Sequence, residues 1–181
     1  SQTIDSLIRE QAIAPALVVG IENTERRRDL TGETRVESDR DVAPAIGGSD
    51  DFRRFISQEL IPEIRARYRV NTQRAIVGES LAGYFVMETF LAHPNLFDRY
   101  IAMSPSLWWN DHALVQEAKN RLPQLAGMHR VLWFTTADET DIFPYTDQLA
   151  ETLKTDAPGD LVWHYVPMKD QHHATIFRAA K

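Results

Sequence analysis

The chain has 181 residues, of which 43% are hydrophobic and 25% charged, a composition typical of a globular protein with one hydrophobic core. Its net charge of −6 opposes non-specific binding to nucleic acid or to anionic membranes. The absence of cysteine excludes disulfides, thiolate metal sites and cysteine nucleophiles, and leaves a cytoplasmic or a periplasmic location open. No apolar run approaches the ~18 residues of a membrane span, so we expect no membrane insertion.

The first third of the chain predicts helices, one buried strand and a loop. Ile4–Gln11 has apolar residues at helical spacing, and Ala16–Ile21 is a short apolar run typical of a buried strand. The polar residues 22–48 predict a long loop. A further helix is expected over residues 51–68, kinked or divided at Pro62 because proline cannot donate a helical hydrogen bond.

The rest of the chain alternates short apolar runs with longer amphipathic ones. The predicted strands are Arg74–Gly78, Tyr100–Met103, Val131–Thr135 and Leu161–Val166, and the predicted helices are Leu81–Ala92, Asp111–Leu122, Pro144–Lys154 and Ala174–Ala180. Apolar strands that alternate with helices predict a mostly parallel sheet with helices on both faces. We therefore expect a single α/β domain over residues 1–181, with about five strands.

A nucleophile elbow is the strongest chemical signal in the sequence. The strand that ends near Gly78 passes through Ser80 directly into the helix that begins at Leu81, in the pattern G-x-S-x-A-G. The α/β-hydrolases hold a catalytic serine in such a strained turn, where only small neighbours avoid a clash. The Leu81 N–H, at the amino end of the helix, would stabilise an oxyanion. The pattern predicts Ser80 as a nucleophile, and the alternative is that Ser80 only caps the helix.

A serine nucleophile needs a base, and in hydrolases of this fold the chain order is serine, acid, histidine. His172 and His173 follow the last predicted strand, where the base belongs, so one of them is the predicted base unless the pair is only a solvated turn. Asp138, Glu139 and Asp141 follow the preceding strand, where the acid belongs. The spacing singles out none of the three, and Asp138 is the first choice because it is nearest the strand end, with Glu139 nearly level and a solvated acidic loop as the alternative. A serine–histidine dyad without a carboxylate stays open.

Two segments are candidates for contact with a ligand. Trp108 and Trp109 follow the strand after the elbow helix, at the active-site edge of the sheet, where they are either buried or line a cleft. Arg26 and Arg28 belong to a basic run that would bind an anionic group or else form a solvated surface. The predicted chemistry requires no cofactor and no metal.

Four motifs, in this order, resemble those of the esterase D-like α/β-hydrolases, the group that includes the enterochelin (enterobactin) and related siderophore esterases. Residues 21–31 are similar to its N-T-x-R-x-R-D-L-T segment, 78–83 to its G-H-S-L-G-G elbow, 93–109 to its H-P-x-L-F-D-x-Y-I-A-x-S-P-S-L-W-W segment and 173–177 to its closing H-A-T-I-F. The resemblance implies a serine esterase that acts on a small-molecule carboxylic ester such as a siderophore lactone. It also implies that His173, and not His172, is the base.

The chain departs from this family in two positions and at its start. Glu79 stands where the family has histidine, and Ala82 where it has glycine. The family has several strands ahead of Ile4–Gln11 and a loop that supplies a second oxyanion N–H, and we expect these to be missing here. The chain is then expected to be either a fragment or a shortened hydrolase with an incomplete oxyanion hole. Because losing one oxyanion donor costs about 100- to 1000-fold in rate, we expect the chain alone to be poorly active unless a missing segment or a partner completes the hole. A non-catalytic binding module and an acyltransferase that uses the same serine are the alternative functions.

Overall fold

The computed structural model describes residues 2–176. The strands in this range are β1 (Ala75–Glu79), β2 (Arg99–Met103), β3 (Val131–Thr136) and β4 (Val162–Pro167). The helices are α1 (Gln2–Arg9), α2 (Arg26–Leu30), α3 (Asp39–Val42), α4 (Ser49–Phe55), α5 (Ile61–Arg67), α6 (Leu81–Ala92), α7 (Trp109–Arg121) and α8 (Phe143–Asp156). A π-helical turn, Ile56–Leu60, joins α4 to α5, and a 3₁₀ turn, Leu122–Leu125, follows α7.

The four strands form one parallel sheet in the order β1-β2-β3-β4. In its register Gly78 pairs with Ala102, Ala102 with Phe134, and Phe134 with Tyr165. Successive parallel strands need a crossover, which α6, α7 and α8 supply. All four carboxyl ends therefore lie at one edge of the sheet, the edge at which open α/β sheets bind their ligands.

The hydrophobic core lies between the helices and one face of this sheet. Phe90 of α6 packs against Tyr100 of β2 with ring centroids 5.3 Å apart. On the same face, the Tyr165 hydroxyl of β4 donates to Asp147 Oδ1 of α8 at 2.8 Å. These contacts place α6 and α8 on the same side of the sheet, because alternate residues of a strand share a face.

The α/β class with a parallel sheet, predicted from the sequence, is confirmed. Coverage of the two faces is unequal within the described residues. On the face opposite α6 and α8, Val77 is 56% exposed and Val162 is 51% exposed. Among residues 2–176, helices cover one face of the sheet, whereas the sequence predicts helices on both faces.

The predicted strand Ala16–Ile21 is wrong, and the sheet of the described residues has four strands instead of about five. Leu17 and Val18 are 46% and 51% exposed, and no backbone hydrogen bond joins this segment to any other described residue. Apolar and β-branched residues favour an extended backbone locally. A strand also needs a hydrogen-bonded neighbour, and the sequence of the segment does not specify one.

The helix predicted over residues 51–68 is divided, but ahead of the proline. After α4 the π-helical turn Ile56–Leu60 intervenes, and α5 then begins with Pro62 in its first turn. Proline is tolerated there because the first turn of a helix has no partner for its N–H groups. Residues 22–48, predicted as a loop, contain the short helices α2 and α3.

The other predicted elements agree with the structure to within two residues at each end. The predicted helix Ala174–Ala180 lies outside the described residues from position 177 onward. No helix within residues 2–176 is long and apolar enough to cross a bilayer.

Candidate active site

Ser80 occupies a strained turn between β1 and α6. Its backbone has φ 61° and ψ −123°, a conformation that residues with a Cβ rarely adopt. The Ser80 N–H donates to the Met103 carbonyl at 3.0 Å, and the Ser80 carbonyl accepts from the Ser106 N–H at 3.1 Å. These hydrogen bonds to β2 and the loop after it hold the turn, which lies where the sequence pattern predicts it.

Small residues on either side of Ser80 make the turn sterically possible. A Cβ added to Gly78 would lie 2.3 Å from the Ala82 carbonyl oxygen, so the close approach of α6 to β1 excludes any larger residue at this position. A Cβ on Gly83 would lie 3.0 Å from Pro105 Cα, a second tight approach. The Ala82 methyl group packs against the core, which explains how the chain accommodates alanine there.

The groups around the Ser80 hydroxyl suit attack on a carbonyl. Ser80 is partly exposed at the carboxyl edge of the sheet, and its Oγ lies 3.5 Å from Ser106 Oγ. Leu81 begins α6, and its N–H donates no hydrogen bond to another described residue. A free N–H at the positive end of a helix is available to an anion that develops next to Ser80.

A histidine and a carboxylate meet at the same edge of the sheet. Glu139 Oε1 is hydrogen-bonded to His173 Nδ1, and the Glu139 side chain is 10% exposed while that of His173 is 45% exposed. A carboxylate at Nδ1 keeps the proton on that nitrogen and leaves the Nε2 lone pair free to accept another. Within residues 2–176 no hydrogen bond joins this ring to the Ser80 hydroxyl. Such a contact often forms only when substrate is bound.

The other acids and the other histidine nominated by the sequence do not join this pair. Asp138 and Asp141 are exposed, and neither carboxylate is hydrogen-bonded to a described residue. His172 is exposed, and its backbone N–H donates to the Thr175 hydroxyl at 3.1 Å. The structure therefore brings Glu139, and not Asp138, to His173.

The two adjacent tryptophans divide between the core and the surface. Trp109 is fully buried and packs against Tyr84, with ring centroids 6.4 Å apart. Trp108 is partly exposed and contacts Trp109, with ring centroids 5.9 Å apart. Of the pair, Trp108 is the one accessible to a ligand.

The two candidate arginines also have different surroundings. Arg28 donates from Nε and Nη2 to Asp29 Oδ1 at 2.9 and 2.6 Å, and Asp29 is buried, so the Arg28 guanidinium is already engaged by a neighbour within α2. Arg26 and Arg27 line an open cleft of about 530 Å³. The positive charge of Arg26 lowers the pKa of Glu79, the residue before Ser80.

Glu79 adds a further charged group that the sequence marked only as a departure from the family pattern. The pKa of Glu79 is raised, chiefly by burial of its carboxyl group. The charges of His173 and Arg26 lower this pKa and the charge of Glu139 raises it, by smaller amounts. Glu79 therefore lies within electrostatic reach of the Glu139–His173 pair. No group of three or more side chains suited to hold a metal ion occurs within residues 2–176.

This geometry agrees with comparisons to known proteins. The family model described as "Putative esterase" matches residues 1–172. The chain belongs to this esterase family. The ferri-bacillibactin esterase BesA of Bacillus subtilis is 37% identical over 132 residues, which make up 61% of this chain and 46% of that protein. The siderophore triacetylfusarinine C esterase of Aspergillus fumigatus is 40% identical over 99 residues, which make up 52% of this chain and 32% of that protein. The chain spans less than half the length of these two curated relatives.

Solved structures of other proteins superpose on most of the chain. The BES protein from Bacillus cereus has a TM-score of 0.82 at 21% identity, with 97% of this chain and 72% of that chain covered. An IroE-like serine hydrolase from Shewanella oneidensis has a TM-score of 0.76 at 26% identity, with 85% of this chain and 53% of that chain covered. The predicted α/β-hydrolase type of fold is thereby confirmed.

The elbow is expected to be intolerant of a single methyl group at Gly78. The Gly78→Ala variant should lose about 3 kcal/mol of unfolding free energy, because its Cβ meets backbone atoms that cannot rotate away. Gly159→Ala is the matched control, since no atom lies within 4 Å of a Cβ built there. Urea unfolding of both variants measures the difference. Equal losses would contradict the steric account of the turn.

Glu79 is expected to make stability depend on pH. Its pKa is raised in the folded state, so its stabilising contribution is present below the unfolded pKa of about 4.3 and is lost as the pH rises through the folded value. Glu79→Gln removes this dependence, so its melting temperature should equal that of the parent near pH 4 and exceed it near pH 7. Exposed Glu10→Gln is the control and should show no such trend. A Glu79→Gln difference that shrinks with rising pH would contradict the raised pKa.

Proposed function

We propose that this chain hydrolyses carboxylic esters with Ser80 as the nucleophile. The observation that carries the proposal is the strained serine of the elbow together with a histidine–carboxylate pair at the same edge of the sheet. A cap residue needs neither the strained backbone nor a histidine whose Nε2 is left free. Membership of the esterase family supports the same reaction class.

In the first half of the reaction, His173 Nε2 takes the proton of Ser80 as Oγ forms a bond to the ester carbonyl carbon. The carbonyl oxygen becomes an oxyanion and accepts a hydrogen bond from the Leu81 N–H. The intermediate then collapses, the bond to the alkoxy oxygen breaks, and His173 returns its proton to the departing alcohol. Glu139 stabilises the imidazolium that exists between these two proton transfers.

The second half repeats the same steps with water. His173 removes a proton from water, whose oxygen attacks the acyl-enzyme carbonyl, and the Leu81 N–H again stabilises the oxyanion. Collapse breaks the bond to Ser80 Oγ, which recovers its proton from His173. The products are the free carboxylic acid and the regenerated serine. An alcohol in place of water would make the same intermediate serve acyl transfer, and product analysis distinguishes the two.

We further propose that the natural substrates are siderophore esters. Curated relatives are named as esterases of ferri-bacillibactin and of triacetylfusarinine C, and another, from Emericella nidulans, is named as an enterobactin esterase. Arg26 and Arg27 line an open cleft together with Glu25, and Trp108 is partly exposed on the loop after β2. Guanidinium groups and an aromatic ring suit a large acidic, aromatic ligand.

The nucleophile is tested by labelling with a fluorophosphonate, which reacts with activated serines. The parent protein should label at Ser80, the label should disappear in Ser80→Ala, and Ser57→Ala should keep it because Ser57 lies in the π-helical turn. His173→Ala should slow labelling by at least about 100-fold, the usual contribution of a general base, whereas His172→Ala should not. A parent protein that does not label would overturn the proposal and favour a non-catalytic binding module.

The substrate class is tested by comparing enterobactin, supplied as its anionic ferric complex, with the uncharged ester p-nitrophenyl butyrate. Arg26→Gln should raise the KM for enterobactin about tenfold, because it removes one cation from the cleft, and should leave the KM for p-nitrophenyl butyrate unchanged. Arg35→Gln, an exposed arginine outside the residues that line the cleft, is the control. A parent that hydrolyses only the uncharged ester would keep the esterase proposal and reject the siderophore one.

A further inference from the structure

Ser104 is a buried hydroxyl directly behind the Glu139–His173 pair. It follows β2, its relative exposure is 0%, and its φ is 38°, in the left-handed region. Its Oγ donates to Glu139 Oε2 at 2.6 Å and accepts from the Ala137 N–H at 3.1 Å. The two oxygens of Glu139 therefore have separate partners, His173 on one and Ser104 on the other.

The direction of these hydrogen bonds follows from the chemistry of the donors. The Ala137 N–H can only donate, so the Ser104 oxygen accepts from it, and the single hydroxyl proton is left for the Glu139 carboxylate. A hydrogen bond to an ionised acceptor is shorter and stronger than one between neutral groups, in agreement with the 2.6 Å separation. The carboxylate is thus held at its second oxygen and cannot rotate freely about its own axis.

The backbone of Ser104 is held in a conformation that places its hydroxyl beside the Glu139 carboxylate. Its N–H donates to the Thr135 carbonyl at 2.9 Å, which extends the pairing of β2 with β3 by one residue. The positive φ of a non-glycine residue costs free energy and persists only where the surroundings impose it. Such strain frequently accompanies a functional position, as it does at Ser80, and Ser104 is the first residue after the strand next to β1.

We propose that Ser104 is a positioning residue of the hydrolytic site, one that fixes Glu139 and through it the ring orientation and Nδ1 proton of His173. The inference rests on the proposed function of Ser80 and His173. Ser104 acts through Glu139, so we assign it no contact with substrate. A loss of its hydroxyl should leave substrate binding intact and slow the chemical steps, because His173 would spend less time with Nε2 directed at Ser80.

Two variants separate the role of the hydroxyl from that of the strained backbone. Ser104→Ala and Ser104→Gly both remove the hydroxyl. Alanine keeps the strain of the positive φ, whereas glycine adopts this backbone conformation without strain. With p-nitrophenyl butyrate, both should lower kcat by about 10- to 100-fold, the rate equivalent of one hydrogen bond to a charged group, at unchanged KM. Recovery of kcat in Ser104→Gly would show that only the backbone mattered and would overturn the proposal.

Ser49→Ala is the matched control for the loss of a buried hydroxyl. Ser49 is 2% exposed, and its Oγ accepts a hydrogen bond from Arg53 Nη2 at 2.9 Å. Removing this hydroxyl therefore also deletes one hydrogen bond to a charged group, but away from the proposed active site. It should reduce stability and leave kcat unchanged. Proton NMR adds a readout that a purely structural role would not move: the downfield Nδ1 proton of the His173–Glu139 pair should persist in Ser49→Ala and disappear or broaden in both Ser104 variants.

The outcomes distinguish this inference from the proposed function. If the parent protein neither labels with a fluorophosphonate nor turns over the ester, the hydrolase proposal fails. If the parent does both while the Ser104 variants keep full kcat and the downfield proton, the hydrolase proposal stands and the positioning role of Ser104 is rejected.

Discussion

The positive φ of Ser80 is the constraint on which the rest of the site depends. A serine held this way turns the chain sharply, so α6 begins at the next residue and passes so close to β1 that Gly78 has no space for a Cβ. The turn costs free energy, and hydrogen bonds to Met103 and Ser106 offset it by tying Ser80 to the neighbouring strand and the loop after it. The same geometry leaves Ser80 partly exposed at the sheet edge and the Leu81 N–H without an acceptor in the described part of the chain.

The parallel sheet then determines which other groups can reach Ser80. Because all four strands end at one edge, the segments after β2, β3 and β4 converge there, carrying Ser104, Glu139 and His173. Exposure falls along this series from His173 at 45% to Glu139 at 10% to Ser104 at 0%, so the group nearest solvent is the one that we propose as the general base. In the role proposed for Ser104, the buried end of the series supplies a fixed orientation that a surface histidine would otherwise lack.

The elbow and most elements after it could be predicted from the sequence because they are local. Leu81–Ala92 follows from helical spacing, and the turn follows from small residues around Ser80. Pairing and side-chain direction are tertiary and could not be predicted. Ala16–Ile21 has the composition of a strand but no hydrogen-bonded neighbour among residues 2–176, and the choice between Asp138 and Glu139 depends on how the loop after β3 turns. Their spacing from the strand differs by one residue, which composition and periodicity cannot resolve.

The central claim is that Ser80 forms a covalent acyl intermediate. The most direct test is to react the protein with p-nitrophenyl acetate, stop the reaction rapidly with acid and analyse the peptides by mass spectrometry. This measurement identifies the residue that carries the acyl group. The account predicts one acetyl group per chain, on the peptide that contains Ser80, and its accumulation when Glu139 is replaced by glutamine at high substrate concentration. Acetyl found on another residue such as Ser106 or His172, or ester turnover with unmodified Ser80, would contradict it.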